Sequence, residues 1–308
     1  MMGDDRFLRV DVAIPAYNEG FRISGILQDV VSSIPCDWFQ VQHIYVISDA
    51  STDQTEEIVR GFSKSDERVR LIQKPERKGK NASINLAFEQ SNADVLIMLD
   101  ADIRLATDKV LQHFVEPIYR HRVGLVGANV LPDNPGPTFN PAILAKRFDS
   151  QLDRERRKRK PISYWSFYGR ALALSKDLFH GLVLPKSHAD DLFIYHSCRR
   201  IGLEAAYAKD ARVFYKEPDS IRDFVDQYSR FKFWIGKAGE EFGSQLVKTD
   251  LEVPGMAGYV LSTLVQHPYW GMMWAGCQLT TLVAYLTRYR TESLERGLYK
   301  TWVLGESE

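Results

Sequence analysis

Apolar, strand-like runs alternate with amphipathic, helix-like segments through the first third of the chain, and this alternation constrains the fold more than any other feature. Continuous apolar strands separated by helices are typical of a largely parallel sheet that is covered by helices on both faces. The predicted strands are Leu8–Ile14, Val41–Ile47, Val69–Gln73 and Asp94–Leu99, and the predicted helices are Ile23–Ile34, Asp53–Phe62 and Asn81–Glu89.

Polar residues collect directly after these predicted strands. Ala16–Glu19, Ser48–Asp53 and Asp100–Asp102 each follow an apolar strand. Because ligands bind outside the carboxyl ends of the strands in open α/β sheets, we expect these three segments to lie along one rim and to carry the chemistry.

The amino-acid composition limits the kinds of partner and site that the chain is expected to have. Lys+Arg and Asp+Glu both number 40, so no overall charge attracts nucleic acid, and we expect no nucleic-acid partner. Cys36, Cys198 and Cys277 lack the spacing of a disulfide framework or a zinc site. The start, Met1–Val10, has no apolar signal core, which favours a cytoplasmic setting.

The second half of the chain reads as mainly helical. A charged helix runs into a basic stretch, an aromatic stretch follows, and two further helices precede a strongly apolar segment that is interrupted by a break. The charged helix is Ala142–Arg157, the basic stretch is Arg154–Lys160 and the aromatic stretch is Tyr164–Tyr168. The two further helices are one opened by His188–Asp191, which ends before Gly202, and Asp219–Trp234. The apolar segment is Pro254–Leu286, and its break is Gln266–Pro268.

Two carboxylate pairs on the predicted rim can bind ligands. Asp100 and Asp102 can reach one hard cation, Mg²⁺ or Mn²⁺, while leaving positions open for phosphate oxygens. Solvated turn carboxylates are the alternative. Asp49 can accept hydrogens from a nucleobase or a ribose, whereas Asp53 is suited to helix capping.

Basic and acidic residues elsewhere offer further candidates. The Arg77–Lys80 loop before a helix can bind phosphate or form a solvated charge run.

Asp190 and Asp191 head a helix, where a carboxylate can act as a general base or as an N-cap. His188 is expected at the surface. Gln227 and Arg230 share one helix face, and the Arg230 guanidinium can hold phosphate with two hydrogen bonds.

Taken together and in this order, these segments resemble the family-2 group of inverting glycosyltransferases, which have the GT-A fold. The resemblance covers roughly residues 8–235. It rests on Val12–Glu19, Ser48–Asp53, Lys78–Asn81 with Asn85, Asp100–Asp102, Asp190–Asp191 with Gly202, and Gln227–Phe231.

The resemblance implies a Rossmann-like, mostly parallel α/β sheet flanked by helices, and a transfer of sugar from a nucleotide diphosphate, a UDP-sugar first, to a hydroxyl acceptor. It implies Asp191 as the catalytic base, Asp190 as its acidic neighbour and Asp102 as the ligand of Mn²⁺ or Mg²⁺. The residues that it places at the nucleotide-sugar are Pro15, Ala16, Tyr17, Glu19, Asp49, Lys80, Asp100, Ala101, Gln227 and Arg230.

Two departures from the family pattern refine the expectation. Asp190 stands where the family more often has Glu, and Phe231 stands where processive synthases have Trp. Those synthases also carry several membrane spans around the catalytic domain, which this sequence lacks. Transfer of one or a few sugars is therefore favoured over processive polymerisation.

The apolar carboxy-terminal segment sets the expected organisation. Residues 1–240 are predicted to form the transferase domain. Its nucleotide-binding half is expected over 1–130 and its acceptor half over 131–240. Residues 241–308 are predicted to form a helical extension. Tyr269–Leu286 has no charged residue but is polar enough to favour a packed or interfacial helix over a membrane span. With Arg154–Lys160 it could lie on an anionic membrane surface, at the inner face of the membrane.

Several alternatives stay open at this point. The acceptor can be a saccharide or lipid-linked, and a homo-oligomer is compatible with the sequence. A catalytically inactive nucleotide-sugar binding protein would keep the same donor residues. A sugar nucleotidyltransferase would share the architecture, but it would need a glycine-rich loop after the first strand, where Pro15–Glu19 stands instead.

Overall fold

The computed structural model describes residues 7–288 except Pro35, Asn134, Pro135, Pro137, Tyr168, Ser187 and Asp219. Parts of the sequence predictions therefore lie outside the described residues. These parts are the start of the chain through Arg6, Tyr168 of the aromatic stretch, Asp219 of a predicted helix and residues 289–308 of the predicted extension.

The described residues form one eight-stranded sheet in the order β3-β2-β1-β4-β7-β6-β8-β5. Strands β3, β2, β1 and β4 are parallel neighbours, as their apolar runs and intervening helices predict. The strands are β1 (Leu8–Ala16), β2 (Phe39–Ser48), β3 (Val69–Gln73), β4 (Val95–Leu99), β5 (Ile103–Leu105), β6 (Leu125–Pro132), β7 (Ala171–Ser175) and β8 (Ala205–Tyr215).

The rest of the sheet pairs differently. β7 is antiparallel to both β4 and β6, and β5 is antiparallel to β8. The sheet is therefore mixed, with the parallel strands on one side. The apolar pattern predicts only the parallel part, because the later strands are short or carry alternating polar residues, as in the exposed positions of β8.

Helices cover this sheet and form a separate carboxy-terminal group. In α1, buried Ile23, Ile26, Leu27 and Val30 face the core at helical spacing. The helices are α1 (Ile23–Val31), α2 (Thr55–Ser65), α3 (Lys80–Gln90), α4 (Val110–His121), α5 (Pro141–Arg159), α6 (Lys176–Phe179), α7 (Asp190–Arg200), α8 (Ile221–Phe242), α9 (Ser244–Leu251), α10 (Met256–Gln266) and α11 (Pro268–Arg288).

The chain divides into two compact units. The first contains Met1–Val130, Phe167–Lys186 and Phe193–Tyr215, and it holds almost all of the sheet. The second contains Leu131–Ser166, Ser187–Leu192 and Lys216–Glu308, and its described part is mainly helical.

Helix α11 packs on α5 inside the second unit. The Phe148 ring lies 5.2 Å from the Trp274 ring, centroid to centroid, and Cys277 is buried beside Ala142 and Ala145. The predicted break at Gln266–Pro268 is confirmed, because α10 ends at Gln266 and α11 begins at Pro268. Across the described helices, none is long and apolar enough to cross a membrane.

The basic stretch at the end of α5 is largely engaged by the protein itself. The Arg156 guanidinium lies 4.2 Å from the centroid of the Trp165 ring. Lys160 Nζ donates hydrogen bonds to the backbone carbonyls of Thr249, at 2.7 Å, and Glu252, at 3.3 Å. Part of this charge therefore holds the end of α9 and does not face solvent as a free basic run.

Candidate active site

The loops that follow β1 and β2 are hydrogen-bonded to each other in the first unit. Asn18, with a left-handed φ of 53°, donates its backbone N–H to Ser51 Oγ at 3.1 Å and accepts from the Thr52 N–H at 2.8 Å. The Gly20 N–H donates to Asp53 Oδ2 at 2.9 Å. These bonds fix the relative position of two of the three predicted rim segments.

Asp49 fastens the basic loop to the end of β2. Its carboxylate is 4% exposed and accepts the backbone N–H of Lys78 at 2.8 Å and of Gly79 at 2.7 Å. The buried Lys74 ammonium forms an ion pair with the same carboxylate. The Asp49 N–H donates to the Ala16 carbonyl at 2.8 Å, so the loop, β2 and β1 meet at this residue.

Tyr17 is covered by an arginine of that loop. The Arg77 guanidinium carbon lies 3.6 Å from the centroid of the Tyr17 ring, in cation–π geometry. The Nε and Nη1 atoms of Arg77 are buried and have no hydrogen-bond partner among the described residues. The cation–π contact therefore holds the Arg77 guanidinium against the Tyr17 ring at the rim.

The two predicted metal-site carboxylates each have a cationic neighbour. Lys80 Nζ lies 2.7 Å from Asp100 Oδ1, and Arg170 Nη1 lies 3.4 Å from Asp102 Oδ2. The guanidinium of Arg170 also lies 4.3 Å from the Tyr215 ring centroid. All four charged side chains are partly exposed, so the same ion pairs can rearrange around an anionic ligand.

Glu19 belongs to the same acidic group. Burial, together with the negative charges of Asp102 and Asp100, raises the pKa of Glu19 to about 7, and Arg22 opposes this rise. Mutual repulsion among these carboxylates favours a bound cation. Within the residues that the structure describes, no three His, Cys, Asp or Glu side chains are grouped so that they could hold a metal ion.

Three of the residues predicted to contact the nucleotide-sugar have small apolar side chains: Pro15, Ala16 and Ala101. Pro15 and Ala16 are the last two residues of β1, and Ala16 is 4% exposed. Ala101, also 4% exposed, holds Asp100 and Asp102 one residue apart directly after β4. These positions set the direction of the rim segments.

The predicted base lies in the second unit. Asp190 and Asp191 are the first residues of α7, and both are half-buried. Asp191 Oδ1 accepts the Leu192 N–H at 2.7 Å, and Asp191 Oδ2 accepts the Tyr164 hydroxyl at 3.0 Å. The carboxylate is therefore held by one backbone donor and one side-chain donor.

The other predicted residues of the second unit lie on or near α8. Gln227 Oε1 is buried without a hydrogen-bond partner in the described part of the chain, and Arg230 is half-buried. The Phe231 ring stacks on the Tyr164 ring at 5.7 Å. His188 was expected at the surface, but it is half-buried, and burial lowers its pKa.

The structure thus brings the predicted donor residues of the first unit together and supplies partners that sequence reasoning did not find. Lys74, Arg170 and Tyr164 contact Asp49, Asp102 and Asp191. Each partner is distant in sequence from its carboxylate and lies in no recognised motif. No local pattern could have indicated it.

Known proteins share both sequence and fold with this chain. The glycosyltransferase AglE of Haloferax volcanii is 34% identical over 142 residues, which are 46% of this chain and 44% of AglE. The dolichyl-phosphate beta-glucosyltransferase ALG5C of Trichomonas vaginalis is 31% identical over 93 residues, which are 29% of this chain and 28% of ALG5C. The chain thus spans less than half the length of these curated relatives.

A solved structure extends the similarity along the whole chain. The mannosyltransferase PcManGT from Pyrobaculum calidifontis, determined in complex with GDP-Man and Mn²⁺, aligns with 99% of this chain and 86% of its own, with a TM-score of 0.60 and 19% identity. This similarity confirms the predicted GT-A architecture.

The family model described as Glycosyl transferase family 2 matches residues 11–180, which contain most of β1, the three rim segments and β7. The match covers more than half of the chain and confirms the resemblance that the rim motifs indicate. The chain belongs to glycosyl transferase family 2.

Proposed function

We propose that the chain is an inverting, metal-dependent transferase that moves a sugar from a nucleotide diphosphate, with UDP-sugars as the first candidates, to a hydroxyl acceptor. The observation that carries the proposal is the acidic group of Glu19, Asp100 and Asp102 with Lys80 and Arg170 beside it. Carboxylates that repel each other next to paired cations suit a divalent metal with a diphosphate.

The residues present fit such a metal. Asp102 is the proposed ligand, and Asp100 and Glu19 add negative charge near it. A bound Mn²⁺ or Mg²⁺ supplies positive charge that stabilises the diphosphate leaving group. In this proposal, Lys80 and Arg170 exchange their carboxylate partners for phosphate oxygens when the donor binds.

The reaction then follows from the roles of the side chains. An acceptor hydroxyl oxygen forms a bond to the anomeric carbon, and the bond from that carbon to the phosphate oxygen breaks on the opposite face. The leaving nucleoside diphosphate takes the bonding electron pair, and the hydroxyl proton goes to the Asp191 carboxylate. Attack on the face opposite the leaving group inverts the anomeric configuration.

Tyr17, Arg77 and Asp49 are the proposed surroundings of the nucleoside. The flat Tyr17–Arg77 pair suits contact with a nucleobase, and Asp49 holds the loop that carries Arg77. Gln227 and Arg230 are proposed to contact the donor phosphates. The GDP-Man complex of PcManGT makes GDP-mannose the second donor to test after the UDP-sugars.

The test is donor binding measured by thermal shift, with a panel of nucleotide-sugars with and without Mn²⁺. A ligand present at about 100 times its Kd stabilises the folded protein by about 2.7 kcal/mol, which is a shift of several degrees. We expect one class of donor to stabilise the wild type only with metal. Asp102→Ala should lose this shift, whereas Asp108→Ala, an exposed carboxylate of the same unit, should keep it.

A transfer assay with the stabilising donor separates an enzyme from an inactive binding protein. Asp191→Asn should keep the metal-dependent thermal shift and lose transfer by at least about a hundredfold, because it removes the proton acceptor. Equal transfer by Asp191→Asn would reject the base assignment. Release of pyrophosphate from a nucleoside triphosphate and a sugar phosphate would favour the nucleotidyltransferase alternative.

We also propose that the acceptor is lipid-linked and that α10 and α11 meet a membrane surface at the inner face. Leu261, Val265, Met272 and Leu279 are each at least 60% exposed, and no charged side chain interrupts these two helices before Arg288. Exposed apolar side chains of this kind suit an interfacial helix. The dolichyl-phosphate acceptor named for ALG5C supports a lipid phosphate as the first acceptor to test.

A further inference from the structure

Tyr164 is a buried tyrosine whose hydroxyl is aimed at the proposed base. The residue is 2% exposed, and its hydroxyl donates to Asp191 Oδ2 at 3.0 Å. The Leu192 N–H donates to the other carboxylate oxygen at 2.7 Å. The carboxylate of the proposed base is therefore held at both of its oxygens.

The turn that carries Tyr164 is itself anchored. Tyr164–Ser166 is a 3-10 turn, and the Ser166 N–H donates to the Ser163 carbonyl at 3.0 Å. The Trp165 indole N–H donates to the Leu251 carbonyl at 2.9 Å. The position of the Tyr164 hydroxyl is therefore fixed by its neighbours on both sides.

Aromatic packing fixes the ring as well. The Tyr164 and Phe231 rings stack at 5.7 Å with an angle of 20° between their planes, and Trp165 lies 5.9 Å from Phe231. Phe231 is the residue that departs from the Trp of the processive-synthase motif. In this chain, the end of the Gln-x-x-Arg-Phe segment of α8 packs on the tyrosine that holds Asp191.

We propose that Tyr164 is a positioning residue, which orients the Asp191 carboxylate through its hydroxyl so that one oxygen faces the acceptor hydroxyl. This inference rests on the proposed role of Asp191 as the base. A general base works only when its oxygen is held within hydrogen-bond reach of the proton that it takes. The Tyr164 hydroxyl and the Leu192 N–H together remove the rotation that would spoil this geometry.

The test is Tyr164→Phe, which deletes the hydroxyl and keeps the stacked ring. We expect kcat to fall by about tenfold with an unchanged donor KM, because donor binding does not use Asp191. The acidic limb of the pH profile of kcat should move up by roughly one pH unit, since the ionised carboxylate loses a hydrogen-bond donor. Asp190 and His188 are unchanged in this variant.

The matched control is Tyr45→Phe in the first unit, which deletes a tyrosine hydroxyl that donates to the Gln90 carbonyl at 3.4 Å. This control should leave kcat and its pH profile at wild-type values. A fluorinated tyrosine at position 164 provides a second measurement with no loss of packing. Its more acidic hydroxyl donates a stronger hydrogen bond, so the acidic limb should move down in pH.

The outcomes separate this proposal from the proposed function. Wild-type kcat and an unmoved acidic limb in both position-164 proteins would overturn the role of Tyr164, while transfer by the wild type would leave the function intact. Absence of wild-type transfer with every donor and acceptor tested would overturn the function itself. If Tyr164→Phe does not fold, the shift in the fluorinated protein decides alone.

Discussion

At the scale of single residues, Glu217 is a carboxyl group without hydrogen-bonding support. It is 5% exposed, and neither of its oxygens has a hydrogen-bond partner within the described ranges. Burial raises the pKa of Glu217 to about 7, although the positive charges of Lys146 and Arg147 act in the opposite direction. The folded protein therefore keeps a proton on Glu217 that the unfolded chain releases at lower pH.

This difference predicts a stability effect that depends on pH. As pH rises from the ordinary glutamate pKa through about 7, the unfolded chain ionises first and the wild type loses stability. Glu217→Gln does not titrate, so its Tm should match the wild type near pH 4.5 and exceed it by about 2–4 °C at pH 8. Calorimetry at both pH values measures this.

The control for that prediction is Glu89→Gln, an exposed residue near the end of α3. It should give the same Tm as the wild type at both pH values. A Tm difference between Glu217→Gln and the wild type that stays constant with pH would contradict the titration argument.

The positions of the candidate site residues could be predicted from local sequence, but their ion-pair partners could not. Asp49 and Asp102 could be placed on the rim because each follows an apolar strand. Lys74 and Arg170, which pair with them, come from other parts of the chain. Their contacts arise from strand pairing and loop folding, which leave no periodic signal in the sequence.

At the scale of elements, burial on both faces made the parallel strands predictable. Every residue of β4 is buried, and the predicted bounds of β3 agree with those of the structure. The strands of the antiparallel part were missed: β5 has only three residues, and exposed residues break the apolar run of β8 into short pieces. Such short apolar runs do not separate from buried helices or loops by pattern alone.

Gly124, just before β6, packs closely against Leu203, and a substitution there tests how tight this contact is. A Cβ atom at Gly124 would lie 2.7 Å from both Cβ and Cδ1 of Leu203, too close for the neighbour to yield by side-chain rotation alone. Gly124→Ala should therefore lower the free energy of unfolding by about 1–3 kcal/mol. Urea unfolding monitored by circular dichroism measures the change.

The matched substitution is Gly61→Ala inside α2, where no atom lies within 4 Å of the added Cβ. It should raise the free energy of unfolding by about 0.5–1 kcal/mol through helix propensity. If Gly124→Ala were as stable as the wild type, the close approach of Leu203 would not describe the folded protein.

At the scale of the whole molecule, the chain enters each compact unit more than once. The first unit holds almost all of the sheet and most of the proposed donor residues, and the second holds the proposed base, Gln227, Arg230 and the carboxy-terminal helices. We retain as a proposal the division into a transferase domain over 1–240, with its halves at 1–130 and 131–240, and an extension from 241. The interleaving explains why composition alone does not mark these units.

The proposed membrane contact makes a prediction for the full chain. Leu261→Glu combined with Leu279→Glu should weaken binding to vesicles that contain anionic lipid by at least about tenfold, because each change removes an exposed apolar contact. Sedimentation with vesicles measures the bound fraction. Val183→Glu, an equally exposed apolar position of the first unit, should bind as the wild type does.

Other occupants of the α10–α11 face give different results. Light scattering that shows a wild-type dimer, lost in the double variant, together with no vesicle binding, would assign this face to a second copy of the chain. Vesicle binding that is unchanged in the double variant would place the membrane contact elsewhere.

The loop from Lys74 to Lys80 is ordered before any ligand arrives, because the Asp49 carboxylate accepts two of its backbone N–H groups and pairs with Lys74. Because the loop is preorganised, the proposed binding of a donor there would cost little conformational entropy. Attempts to change donor preference by redesigning this loop must therefore keep Asp49 and its three donors. If these hydrogen bonds were lost, a new contact would first have to offset the conformational entropy of a disordered loop.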